Sequence, residues 1–320
     1  MSVSSLPDSV AARERVSPHV HRTPLLVSRS LDEETGLEVR LKAEMFQRTG
    51  SYKIRGPLNK LSLLSDEERA AGVVCSSAGN HAQGVALAAR MLGVRAVVCM
   101  AANATPAKVA ATTAYGAEVV QHGSIWDEAD EKARELVATE GLTYVHPFDD
   151  PDLIAGQGTL GLEVIEDWPE VEAVVVPIGG GGLISGVATA AKRARPDVRV
   201  VGVESSDGPA MQESVARGEI VTLERCDTVI DGLRVKRVGR HTFELVRRFV
   251  DDIVAVPDET IFENVLWLMS RTKLVVEAAA AAPVAAIRSG AVELPAATKV
   301  VCVLSGGNLD LAALEGRKLN

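Results

Sequence analysis

The sequence predicts an α/β protein organised as two domains with parallel-sheet cores. Three observations carry this. Short β-branched runs alternate with longer segments of helical period through the middle and later parts of the chain. Most of those runs are continuously apolar, the pattern of strands covered on both faces. The runs also fall into two clusters, about 70–147 and 171–304. The expected division is a large domain of residues 1–65 with 148–320 and a small domain of 66–147 inserted into it.

The expected strands are VVC (73–75), RAVVCM (95–100), AEVVQ (117–121), LTYVH (142–146), EAVVVP (172–177), RVVGVE (199–204) and VVCVL (300–304). A helix over 105–115 opens on Thr-Pro, and Pro106 suits a first helical position, where an N–H is not needed. A helix over 124–140 has Ser124 as its expected cap and Asp127 and Glu128 facing the positive end of the dipole. Further helices are expected over 154–167, 183–195, 241–250, 260–272 and 275–288, the last containing the alanine run 278–282.

Composition narrows the function classes. The 320 residues include 34 basic and 43 acidic side chains, a net charge of −9, with 47% hydrophobic and 24% charged residues. Such a chain is neither disordered nor collagen-like. No basic block offsets the acidic balance, which argues against a nucleic-acid partner. Aromatics make up only 3%, so the core must be built from Ala, Val, Leu and Ile. No apolar run is long enough to span a membrane, and the first residues carry no apolar leader, so no secretory signal is expected. Cys75, Cys99, Cys226 and Cys302 form no CxxC and have no His at ligand spacing. Free thiols in a reducing cytoplasm are expected, rather than zinc or disulfides.

Four motifs carry chemistry. VVVPIGGGGLISG (174–186) is a strand, four glycines and a helix start. Residues without Cβ let several N–H groups converge on an anion, and the helix N-terminus adds its dipole. No Lys-Ser/Thr follows and no acidic residue stands at ribose distance, so this is neither a Walker loop nor a dinucleotide loop. A turn without a ligand is the competing reading; four consecutive glycines between strand and helix argue against it. Lys53 lies in GSYKIRGP (50–57) among Tyr52, Ile54, Gly50 and Gly56, unlike a solvated surface lysine. Apolar neighbours, or the second cation Arg55, would lower its pKa and free a neutral amine for Schiff-base chemistry. CSSAGNHAQG (75–84) sets two hydroxyls, a glycine and Asn80-His81 at a helix start, a setting that suits a carboxylate and equally a plain cap. SGGN (305–308) follows an apolar strand, placing Ser305 at the end where open α/β sheets bind ligands, unless it is a simple turn.

In the order lysine, SAGNHAQG, tetraglycine, SGGN, from HRTPL (21–25) onward, the chain resembles the fold-type II pyridoxal-phosphate enzymes, the architecture of the tryptophan synthase β subunit, and within them the threonine/serine dehydratase and serine racemase group. The resemblance implies that Lys53 carries pyridoxal 5'-phosphate as a Schiff base and later acts as general base at the substrate Cα. It implies that Gly179, Gly180, Gly181, Gly182 and Leu183 hold the phosphate, that Asn80 meets the pyridoxal 3-oxygen, and that Ser305 meets the pyridine nitrogen. Tyr52 stands where the group usually has Phe stacked on the ring, and Gly232 of TVIDG (228–232) lies at the other face. Ser77, Ala78, Gly79, Asn80 and His81 would receive the substrate carboxylate. A serine hydroxyl is too weak an acid to keep the pyridine nitrogen protonated, which favours prompt β-elimination over transamination.

The implied activity is an ammonia-lyase acting on L-threonine, L-serine or a related β-hydroxy amino acid, in a cytoplasmic homodimer. The alternatives are a 3-hydroxyaspartate or phenylserine-type dehydratase, a serine racemase, or a cofactor-binding sensor without turnover. Racemases of the group carry serine immediately before Gly-Asn-His; here that residue is Ala78. The group's Glu-Pro-Ser/Thr-Gly-Ala segment reads VVEAAAAA (275–282), keeping only Glu277. Glu204 and the Gly208 carbonyl could contribute to a cation site, but the second carboxylate position is Ala210, so the sequence supports no cation. The chain runs only to Asn320, so the regulatory domain of biosynthetic threonine dehydratases, and isoleucine feedback with it, is not expected.

Overall fold

The computed structural model describes residues 6–317; both ends of the expected large domain, 1–5 and 318–320, and the first residues on which the expectation of no secretory signal rests lie outside the described residues. Among the described residues ten strands form two sheets. They are β1 (Leu25–Val27), β2 (Glu38–Ala43), β3 (Val73–Ser76), β4 (Ala96–Met100), β5 (Glu118–Gln121), β6 (Thr143–Tyr144), β7 (Ala173–Pro177), β8 (Arg199–Ser205), β9 (Asp252–Val256) and β10 (Lys299–Leu304). The larger sheet has the order β1-β2-β10-β7-β8-β9 and the smaller β5-β4-β3-β6. Every neighbouring pair is parallel except β1 with β2.

The continuous apolar runs have the burial they imply. Successive residues of β10 enter opposite cores: Val300, Cys302 and Leu304 pack with the alanines of the helix Ala278–Arg288, while Val301 and Val303 pack with Leu160, Ile184 and Val187. The small sheet does the same. Val73, Cys75 and Val98 face Leu58 and Val85, and Val74, Val97 and Cys99 face Ala129, Ala133 and Leu136 of the helix Trp126–Glu140. Ile54, Leu58 and Leu61, which precede the small sheet in sequence, therefore share its core. The few aromatics are replaced by close backbone approach. A Cβ on Gly186 would lie 2.5 Å from the Ile154 carbonyl, so the helices Pro151–Asp167 and Gly182–Ala194 meet backbone to backbone. Among the described residues no helix is long and apolar enough to cross a membrane. All four cysteines are free, three of them buried.

Three strands escape the sequence patterns, and two local readings need correction. β1 is only three residues long, β9 opens on Asp252, and β2 carries Glu38, Arg40 and Lys42. The expected strand 142–146 shrinks to Thr143–Tyr144, because Pro147 offers no N–H and the chain turns at His146. Pro106 is the first residue of its helix, capped by Thr105 as a Thr-Pro start should be. Ser124 is not a cap. Ile125 occupies that position, and the Ser124 N–H and hydroxyl donate to the Glu128 carboxylate instead.

A buried ionic cluster joins β2 to the following helices. Arg55 is fully buried, with Nε and Nη2 both 2.8 Å from Glu44 and with Nη1 and Nη2 2.7 and 2.9 Å from Glu163. Lys42 is also fully buried, 2.7 Å from Glu163 and donating to the Thr23 carbonyl at 2.6 Å. Two cations and two carboxylates compensate one another where water cannot. Removing one partner strands the rest, so Arg55→Ala should lose about 3–5 kcal/mol of stability. Urea unfolding checks this; a wild-type midpoint would show that the cluster contributes little.

Candidate active site

Lys53 sits in a single 3-10 turn, Tyr52–Ile54, stitched to the end of β10. The Tyr52 N–H donates to the Ser305 carbonyl at 3.0 Å, and the Gly307 N–H to the Gly50 carbonyl at 2.8 Å. The Lys53 amine donates to the Pro147 carbonyl at 3.0 Å. Its side chain is half-buried, but the amine is shut in by packed atoms. That desolvation lowers Lys53 to about 8, against the opposing pull of the Glu277 carboxylate. The second cation expected to contribute, Arg55, does not; Glu44 and Glu163 already meet its charge.

Glu277 immediately precedes the helix Ala278–Arg288 and is itself enclosed. Burial pushes it up to about 7, opposed by the Asn80 amide and by Lys53. Asn80 Nδ2 lies 2.8 and 2.9 Å from its two oxygens. The Asn80 carbonyl accepts from Asn308 Nδ2 at 2.7 Å, and the same nitrogen donates to the Thr49 carbonyl at 2.7 Å. The Asn80 amide is thus oriented from both ends.

The glycines turn the chain from β7 into the helix Gly182–Ala194, with Gly181 at the cap in the left-handed region (φ +92°). A Cβ on Gly179 would stand 2.4 Å from the Gly232 carbonyl, and one on Gly180 2.3 Å from the Phe148 ring. Only glycine backbone fits, and the unpaired amides of a helix N-terminus adjoin it.

One cavity gathers Tyr52, Lys53, Asn80, Gly179, Gly180, Gly181, Gly182, Leu183, Gly232, Glu277 and Ser305. Phe148, Pro177, Leu233 and Ala279 complete its wall; none of them stands out in the sequence as a site residue. A signal for Phe148 exists, since HPFDD (146–150) closes a strand with turn-forming Pro and Asp. Ser77, Ala78 and Gly79 lie in the loop between β3 and the helix Asn80–Leu92 and are not part of the cavity wall. Ser77 Oγ accepts from the Gly79 N–H at 3.2 Å. His81 is buried with Nε2 3.0 Å from the Val145 carbonyl, and burial, then the Lys53 charge, pushes it down to about 3; it is a neutral Nε2–H tautomer. Glu204 accepts from the Met211 and Gln212 N–H groups at 2.8 and 2.7 Å, and burial raises it to about 7. Its oxygens therefore serve a helix start, and among the described residues no group of three His, Cys, Asp or Glu is gathered for a metal.

An enclosed amine of lowered pKa and a side-chain-free glycine cradle, in one cavity that Tyr52 and Gly232 also line, fit pyridoxal 5'-phosphate and define a pyridoxal-phosphate enzyme. The chain belongs to the pyridoxal-phosphate dependent enzyme family, whose profile matches residues 16–306. It is 47% identical to an L-threonine ammonia-lyase of Thermotoga maritima over 97% of this chain and 77% of that one. It is 45% identical to the catabolic L-threonine dehydratase TdcB of Escherichia coli K12 over 96% and 94%. Among solved structures, the processed form of threonine deaminase isoform 2 from Solanum lycopersicum matches with a TM-score of 0.91 and 35% identity, covering 96% and 90% of the two chains. Maize serine racemase matches with 0.92 and 36%, covering 98% and 95%.

Two outcomes follow from this geometry. Attachment of pyridoxal phosphate requires the neutral amine, so its rate on the apo-protein should climb as pH rises through about 8, not near the 10.5 of an ordinary lysine. Stopped-flow absorbance reads this, and a rate still climbing well above pH 9 would contradict the burial argument. Gly179→Ala should weaken cofactor affinity by at least about tenfold, since its Cβ must displace the Gly232 backbone; an unchanged titration would show that the loop yields freely.

Proposed function

We propose that the protein is a pyridoxal-phosphate-dependent ammonia-lyase. It converts L-threonine, L-serine or a related β-hydroxy amino acid to a 2-oxo acid and ammonia. The observation that carries this is one enclosed, easily deprotonated amine facing a phosphate cradle across a single cavity, in a chain similar along nearly its whole length to threonine ammonia-lyases. The bound cofactor supplies a conjugated ring that makes the substrate Cα proton acidic. Lys53, whose lowered pKa leaves part of it neutral near pH 8, takes that proton. The β-hydroxyl leaves as water, and one water returns when the enamine product, after tautomerising, hydrolyses to oxo acid and ammonia.

In this reading the Gly179–Gly182 amides and Leu183 hold the phosphate, Asn80 and Ser305 orient the ring, and Tyr52 and Gly232 close on its faces. The 77–81 loop receives the substrate carboxylate, with His81 acting through its bond to Val145. Racemisation needs a proton donor on the opposite face of Cα, and Ala78 has none to give. The reading divides the chain as 1–65 with 148–320, and 66–147; all four strands of the smaller sheet fall in the second span, which supports it. A cytoplasmic homodimer completes it, supported by the free thiols and by the usual habit of the group.

The purified protein, loaded with pyridoxal phosphate, should release 2-oxo acid from L-threonine or L-serine when offered alongside D-serine, L-threo-3-hydroxyaspartate and L-threo-phenylserine. Lys53→Ala should abolish both release and the long-wavelength absorption of the attached cofactor. Absence of 2-oxo acid from all five substrates would reject the lyase reading.

A further inference from the structure

The residues HPFDD (146–150), in the connection from β6 to the helix Pro151–Asp167, reach Lys53, the glycine loop and the helix Arg240–Phe249. The Pro147 carbonyl accepts from Lys53. The Phe148 ring lies against Gly180, and its backbone 3.0 Å from where a Cβ of Gly182 would be. Asp149 caps the helix Arg240–Phe249, accepting from the Arg240, His241 and Thr242 N–H groups at 3.0, 2.8 and 3.2 Å. Asp150 caps the helix Pro151–Asp167 through the Asp152 and Leu153 N–H groups. Those caps anchor the far end of the segment. The near end is closed by His146, whose Nδ1 accepts from the Phe148 N–H at 3.2 Å and the Asp149 N–H at 2.8 Å.

We propose that His146 is a positioning residue for the reaction: by accepting these two N–H groups, it holds the turn that presents the Pro147 carbonyl to Lys53 and the Phe148 ring to the glycine loop. The inference rests on the ammonia-lyase reading for its consequence, not for its geometry. A nitrogen that accepts two N–H groups must keep its lone pair, so the ring's proton is on Nε2. Protonating Nδ1 would place a third N–H against the other two and open the turn.

The groups around the ring set when this happens. Asp149 and Asp150 lie on its own segment, Asp130 and Arg134 on the helix Trp126–Glu140, and neutral His81 on the helix Asn80–Leu92. Tyr144 and Phe148 meet the ring edge-on at 6.1 and 4.7 Å. Burial lowers the imidazole below its ordinary value, with Asp149 and Asp130 pulling the other way. The turn is therefore intact at neutral pH and opens only as pH falls below the ordinary imidazole range.

The test is titration of apo-protein with pyridoxal phosphate between about pH 8 and pH 5, on wild type, His146→Asn and His146→Leu. Asparagine offers Oδ1 to the same N–H groups, as in an Asx-turn, and does not titrate. It should bind like wild type near neutrality and lose the part of the acid-side weakening that wild type shows. Leucine leaves two donors unmet and should bind at least about tenfold more weakly near neutral pH, the gap narrowing as wild type loses the same acceptor in acid. Wild-type affinity in His146→Leu, or an acid limb in His146→Asn identical to that of wild type, would overturn the proposal. Should the binding pattern hold while no amino acid is turned over, the positioning role stands and the lyase reading falls.

Discussion

The site depends on keeping one amine away from water. Lys53 in bulk solvent would be protonated and inert toward a carbonyl; with its amine enclosed, it falls to about 8 even with the Glu277 carboxylate nearby. Burial wins that contest because the fold leaves the amine one oxygen, the Pro147 carbonyl, to replace a hydration shell. The enclosure is built from backbone. The turn is sewn to β10 through Ser305 and Gly307, and Gly84 approaches so closely that a Cβ there would lie 2.9 Å from the Lys53 carbonyl. Two residues on, Arg55 clamps the same segment to Glu44 and Glu163. A cation so near could have repelled the amine; paired with two carboxylates, it acts as an anchor.

Parallel topology explains why the cavity lies where it does. β7 and β10 end at it, contributing the glycine loop and Ser305, and the chain after β3 leads into Asn80, which lines it. Parallel strands deliver their C-terminal ends to one edge, where following helices present unpaired N–H groups. Two such edges, one from each sheet, meet here. The crossing at 146–150 is the passage from the smaller sheet back to the larger, so its turn inevitably lines the space between them.

What the sequence reveals tracks how local each constraint is. The glycine loop is legible because close approach forbids side chains, and tetraglycine has few other uses. Lys53 is legible from its apolar and glycine neighbours, and β7 and β10 from burial on both faces. β2 is not legible, because Lys42 and Arg40 break its apolar run; the charge of Lys42 is met by Glu163, far along the chain. Arg55 reads locally as a perturbing charge for the same reason. Phe148 and His146 sit in a turn whose partners, Gly180, Lys53 and the helix at Arg240, come from three other segments. The local pattern HPFDD marks the turn, but not the partners that folding brings beside it.

The same distinction clarifies Asn80. Its nitrogen carries two hydrogens. Both Glu277 oxygens lie within 2.9 Å of that nitrogen, so one hydrogen suffices for a bifurcated bond. The carbonyl is held by Asn308, which fixes which end of the amide is nitrogen. Asn80 also lines the cavity. Glu277 and Asn308 therefore fix the orientation that the amide presents there. Burial sets the Glu277 carboxyl at about 7, so ionisation around neutrality strengthens the bond that aims Asn80. Lys53 loses its proton over the adjoining range, near 8. Two groups far apart in the chain thus change charge over adjoining ranges, because burial desolvates both.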